Sequence, residues 1–200
     1  MNTCTRHPRI LLIRHGETEW SRTGRHTGRT DIGLTQTGEV QASALAGIAE
    51  RLGLEDPYVV SSPRRRARRT AELAELAPDE VGEDFAEWDY GDYEGITRSQ
   101  IRAEYEPDWS IWTHGAPGGE SVQEMTQRVD RAVRYVEAEL VRRDVVVVSH
   151  GHFSRSFICR YLGWPIVYGA AVDLRPAGSA LLADVEGERR IELLTGPAGA

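Results

Sequence analysis

The chain has 200 residues, 40% hydrophobic and 28% charged, enough for a sizeable core, and at this length it reads as a single domain over 1–200. A formal charge of −7 argues against general nucleic-acid binding, although a local basic pocket can sit inside an acidic protein. Cys4 and Cys159 form neither a disulfide framework nor a metal-ligand spacing, residues 1–9 hold no apolar signal core, and no apolar run is long enough for a membrane span, so a cytoplasmic location is expected.

Residues 10–13 (Ile-Leu-Leu-Ile) read as the first strand, followed by a Gly, Thr and Arg rich loop over 16–34 that is too long for a plain connection. Thr35 is placed to cap a helix carrying Val40, Ala44, Leu45, Ile48 and Leu52 on one stripe, with Gly53 as its stop. A second strand covers 58–61. Ser62 then reads as an N-cap with Pro63 at the first helical position, and the helix is expected to run to about Ala77. On it Arg66, Thr70, Leu73 and Ala77 share a face, which turns Arg66 inward. The stretch 85–119 is irregular and aromatic, with Trp88, Tyr90, Tyr93, Tyr105, Trp109 and Trp112, and is expected to be an insertion over the active site. A long helix follows at about 120–142, with Val122, Met125, Val129, Val133, Val136 and Leu140 on one stripe. A strand at 145–148, a helix over 153–162 and a hairpin formed by 181–185 and 191–194 complete the chain.

Short β-branched runs without polar alternation are strands buried on both faces, as in parallel sheets whose crevice lies beyond the strands' carboxyl ends. The first run ends in Arg14-His15-Gly16, the second leads into Ser61-Ser62-Pro63, and the third ends in Ser149-His150-Gly151. Two imidazoles and several guanidinium groups are thereby brought to one point, which suits a phosphate site containing a nucleophile. Taken singly, either histidine would more often be a core residue. Residues 64–69, one alanine among five arginines, spread around a helix axis, so all but Arg66 are expected to be solvated or ion-paired. His7, His26, His114 and His152 lack the companions of a metal site, and His152 is better read as a pocket wall.

Five markers taken together resemble the histidine phosphatase superfamily, the phosphoglycerate mutase-like proteins. They are Arg14-His15-Gly16; Thr27-Gly28 with Leu34-Thr35 and Gly38; Ser62 to Thr70 with Arg66; Glu87 with Tyr90-Gly91; and Ser149-His150-Gly151. The resemblance implies an α/β fold, a three-layer α/β/α sandwich with a mostly parallel central sheet. It implies His15 as a nucleophile forming a phosphohistidine, Arg14 and Arg66 as clamps on the phosphoryl oxygens, His150 as a further donor, and Glu87 as the acid for the leaving oxygen, with Asp89 its local rival. Ser21, Thr27, Gly28, Tyr90 and Gly151 then stand where substrate is contacted. Guanidinium forks match phosphoryl geometry, so neither a metal nor another cofactor is expected.

Cofactor-dependent mutases of that superfamily carry a basic pair after the glutamate. Residues 108–117 contain no arginine or lysine, and Ser21 replaces the usual asparagine, which favours a phosphatase over a mutase. The wording of 87–95 and of His150-Gly151-His152 resembles a branch containing sedoheptulose bisphosphatases and actinobacterial acid phosphatases, which implies small phosphorylated metabolites, sugar phosphates above all, as partners. A catalytically silent phospho-ligand or protein-binding module is the alternative of another class, and the sequence leaves a homodimer open.

Overall fold

Residues Ile10–Ile13 and Val145–Val148 lie side by side at the centre of one sheet, and all of them are fully buried. Strands closed on both faces need no polar alternation. The computed structural model describes residues 7–196, so Cys4 lies outside the described residues. The strands are β1 (Arg9–Arg14), β2 (Tyr58–Ser61), β3 (Glu80–Val81), β4 (Val145–Ser149), β5 (Ser179–Val185) and β6 (Glu188–Thr195), in the order β3-β2-β4-β1-β5-β6. Strands β1 to β4 are mutually parallel, while β5 and β6, the expected hairpin, run antiparallel at one edge. The two-residue β3 has no signature in the sequence.

Alternate strand residues feed two cores. Leu11, Ile13, Val59, Val146 and Val148 pack with residues of α3 (Ile48–Arg51) and α4 (Arg65–Leu73), and α2 (Gln36–Ser43), which follows a short α1 (Glu19–Thr23), lies against α4. Ile10, Leu12, Val60, Val145 and Val147 join the larger cluster on the opposite face. That cluster includes residues of α5 (Arg98–Glu104), α6 (Ile111–His114), α7 (Val122–Leu140) and α8 (Gly151–Tyr161). The result is the expected three-layer α/β/α sandwich. Each fully buried aliphatic side chain stabilises this arrangement by about 1.5–3 kcal/mol. Among the described residues no helix is long and apolar enough to cross a membrane.

The helix expected from Thr35 to Leu52 is broken. Thr35 caps it as read, but Gly47 adopts a left-handed conformation between α2 and α3, and Val40 is 67% exposed. Small residues set the buried face of α2: Gly38 and Ala42 turn inward because a Cβ on Gly38 would lie 2.1 Å from the Glu17 carbonyl oxygen. The α4 expectation also needs correction at both ends. Ser62 is not its cap; the helix begins at Arg65, whose N–H donates to Asp31 across the loop, and it ends at Leu73 rather than Ala77. Glu75 has positive φ there and turns the chain out of the helix. Arg66 and Thr70 are buried as expected, but Ala77 is exposed. The helix after β4 starts at Gly151, two residues earlier than read.

In the aromatic stretch Trp88, Tyr90, Tyr93, Trp109 and Trp112 are buried in the larger cluster, whereas Tyr105 is 61% exposed. Helix α7 buries Met125, Val129, Val133 and Val136 as its periodicity required.

Candidate active site

Register brings the motif ends together. Arg14 on β1 pairs with Ser149 on β4, and Ser61 on β2 pairs with Val148, so the residues following these three strands emerge side by side. The His15 and His150 rings are 5.1 Å apart, edge to face. The Gly16 N–H donates to Thr70 Oγ, which in turn donates to the Arg66 carbonyl, tying the first loop to α4.

His15 is 4% exposed, and its Nδ1 lies 2.7 Å from the Gly16 carbonyl oxygen. A carbonyl only accepts, so Nδ1 carries the hydrogen and Nε2 of the neutral ring keeps a free electron pair. Burial, then Arg66, then Arg14 hold the imidazole well below its ordinary 6.5, so the neutral form persists into acid. His150 is fully buried and displaced the same way by burial, Arg66 and His15. Its Nδ1 accepts from Arg66 Nε at 3.2 Å, so its Nε2–H donates to Ser62 Oγ at 2.7 Å. Ser62, expected as a helix cap, thus bonds His150 instead.

The two arginines are used differently. Arg66 donates to the carbonyls of Thr27, Gly28 and Thr30 as well as to His150, which leaves one of its five N–H groups unspent. Among the described residues Arg14 donates only to the Leu174 carbonyl, and its buried Nε has no partner. Burial lowers the Arg66 pKa to about 10 and lowers that of Arg14. Gly151 makes room for Arg14: a Cβ there would sit 3.1 Å from the guanidinium carbon.

The Glu87 carboxylate stands at the start of α8. Oε1 accepts the N–H groups of Trp88 and Phe153 and Oε2 that of His152. Asp89 instead pairs with Arg29 at 2.9 Å and accepts from Gly91 N–H. Tyr90 is buried, with its hydroxyl 2.7 Å from His152 Nδ1, and burial followed by the nearby Glu87 raises its pKa well above 10. Trp112 packs 5.1 Å from His152.

Three other sequence-selected residues are engaged with protein. Ser21 completes the capping box of α1 with Thr18. The Gly28, Arg29 and Thr30 N–H groups all donate to the Glu94 carboxylate, and Thr27 Oγ donates to the Arg25 carbonyl. Arg155, one helical turn beyond Gly151, drew no notice in the sequence. Its guanidinium covers Trp112 at 4.8 Å, its Nε donates to the Gly169 carbonyl, and among the described residues it makes no ion pair. The other arginines of 64–69 behave as expected, Arg64 pairing with Glu83 and Arg69 with Glu39 and Glu72. Among the described residues no three His, Cys, Asp or Glu side chains are grouped to hold a metal ion.

Residues 10–195 match the family model of the histidine phosphatase superfamily, branch 1. The chain belongs to that superfamily. It is 48% identical over 189 residues to an acid phosphatase of Mycobacterium tuberculosis, covering 94% of this chain and 93% of the relative. It is 36% identical to sedoheptulose 1,7-bisphosphatase of Saccharomyces cerevisiae, covering 78% of this chain and 68% of that one. A solved structure of a Mycobacterium tuberculosis open reading frame superposes with a TM-score of 0.92 at 47% identity, covering 96% of this chain and 99% of the other. The protein is thus a phosphatase, a phosphoric monoester hydrolase of this fold.

Proposed function

We propose that this phosphatase hydrolyses small phosphomonoesters, sugar phosphates foremost, through a phosphohistidine on His15 and without a metal ion. The observation that carries the reading is the pairing of an electron pair on His15 Nε2 with unspent guanidinium donors on Arg14. Among the described residues four of the five Arg14 N–H groups, the buried Nε–H among them, have no acceptor. An orphaned buried donor is costly, and a phosphoryl group supplies the acceptors that relieve it.

His15 Nε2 attacks phosphorus as the ester P–O bond breaks. Charge on the phosphoryl oxygens is met by Arg14, by the remaining Arg66 N–H and by the His150 Nε2–H shared with Ser62. Glu87 delivers its proton to the departing oxygen; with both lone-pair positions of Oε1 occupied, that proton rides on Oε2. Water then attacks phosphorus, the N–P bond breaks, and the proton lost by water returns to Glu87. Asp89, held by Arg29, is the weaker candidate for this role.

Arg155 supports the sugar-phosphate reading, since an unpaired guanidinium beside His152 suits a second acidic group on the leaving part of the substrate. The name of the yeast relative, a bisphosphatase, points the same way. Phosphate release from p-nitrophenyl phosphate and from a panel of sugar mono- and bisphosphates, after exhaustive chelation, tests the proposal. Full activity with preference for bisphosphates is expected; loss on chelation with recovery on added magnesium or zinc refutes metal independence.

A further inference from the structure

Residues 86–90, which carry Glu87, belong to no helix or strand, so their backbone polar groups must find partners elsewhere. One buried side chain serves two of their carbonyls and a third just before them. Arg128 on α7 donates through Nη1 to the carbonyls of Asp84 and Ala86 at 3.0 and 2.8 Å, and through Nη2 to that of Glu87 at 3.3 Å. The Phe85 carbonyl accepts from Ser149 Oγ at 2.7 Å. Four consecutive carbonyls thus end on side chains of two neighbouring elements.

Glu120 completes the arrangement. Its two oxygens each lie 2.7 Å from an Arg128 nitrogen, the fork-to-fork geometry that fixes orientation as well as distance. The Asp89 N–H donates to Glu120 Oε2, the Trp88 indole N–H to the Glu120 carbonyl, and the Glu120 N–H to the Asp89 carbonyl. The pair therefore grips the chain on both sides of Glu87. Its side chains are only 11% and 18% exposed, and a buried ion pair is a poor source of net stability.

We propose that Arg128, oriented by Glu120, is a positioning residue for the general acid. It fixes the 84–89 backbone so that the Glu87 carboxyl meets the start of α8 and faces the leaving oxygen. This rests on the reading of Glu87 as that acid. In this role Arg128 acts through Glu87 and not on the substrate, so its loss should resemble loss of the acid rather than loss of phosphate binding.

The test compares kcat/KM for p-nitrophenyl phosphate, whose leaving group needs little protonation, with that for an alkyl phosphate such as glycerol 3-phosphate. Wild type, Arg128→Met, Glu120→Gln, Glu87→Gln and each clamp variant combined with Glu87→Gln are measured, with folding checked by circular dichroism. Arg128→Met is expected to lower the alkyl phosphate value by about 100-fold or more and the p-nitrophenyl value by less than about 10-fold. Neither clamp variant should add a further selective loss once Glu87 is glutamine. Glu120→Gln, which sets an amide among N–H donors while preserving shape, should show the same pattern more weakly and carries the test if Arg128→Met does not fold. Equal losses on both substrates, or losses that add to Glu87→Gln, overturn the positioning role while leaving Glu87 as the acid. No leaving-group selectivity in Glu87→Gln itself overturns the acid assignment, and the clamp's role with it.

Discussion

Arg14 and Arg66 share one proposed task, yet their surroundings predict opposite consequences for stability when each is changed to methionine. Arg66 is fully buried and satisfies three loop carbonyls at 2.9 to 3.0 Å in addition to His150. Each buried acceptor left unpaired costs about 1–3 kcal/mol, and because water can follow into the gap at this rim the lower end applies. Three carbonyls then give a loss of about 3–5 kcal/mol for Arg66→Met. Among the described residues Arg14 gives up a single bond, to Leu174, worth about 1 kcal/mol, while removal of a half-buried cation with a buried, unpaired Nε relieves desolvation of similar size. Its net change should stay within about 1 kcal/mol. Urea unfolding at pH 7 without phosphate resolves the two: with m of about 1–3 kcal/mol per molar, Arg66→Met should lower the midpoint by at least about 1 M and Arg14→Met by far less. Both should lose about 100-fold or more in kcat/KM with p-nitrophenyl phosphate. Equal midpoints, or a larger stability loss for Arg14→Met, refute this division of labour.

Two further outcomes follow from the same geometry. His15 must attack unprotonated, and burial, Arg66 and Arg14 hold its pKa well below 6.5, so the acid limb of kcat/KM should lie well below that of free imidazole; Arg14→Met should move the limb toward higher pH. The fold carries the complementary cost. His15 and His150 titrate lower when folded than when unfolded, so their stabilisation is complete above about pH 6.5 and is lost as pH falls toward their folded values, by up to about 1.4 kcal/mol per unit for each. Denaturation midpoints that rise from pH 7 to pH 5 in phosphate-free buffer contradict this. Gly151→Ala places a methyl 3.1 Å from the Arg14 guanidinium carbon without demanding an unusual backbone. It should raise KM for p-nitrophenyl phosphate several-fold while changing stability by less than about 1 kcal/mol, and an unchanged KM removes Arg14 from phosphate binding.

What could be read from the sequence was whatever depends on local pattern. Valine and isoleucine runs marked the central strands, the His-Gly pairs after β1 and β4 marked one crevice, and the four-residue spacing of Arg66 and Thr70 turned both inward. Features set by distant partners were not legible. Ser62 before a proline resembles a cap, but its hydroxyl, besides accepting the Arg64 N–H, bonds His150, 88 residues away, and the capping of α4 falls to Asp31. The stripe through Val40 was the larger hydrophobic surface, but close approach of Gly38 to Glu17 selected the small-residue face. Arg128 carries no local signal in the sequence; only the packing of α7 against 84–89 gives it carbonyl partners.

Covalent chemistry on His15 is the centre of the account. Rapid quench of wild-type enzyme with 32P-labelled substrate, followed by peptide mapping at alkaline pH, tests it most directly. A label that appears within one turnover, is lost in acid and survives in base, and maps to the peptide containing His15 is the expected result, with folded His15→Ala giving neither label nor turnover. An acid-stable label on a serine, or substantial turnover by folded His15→Ala, contradicts it.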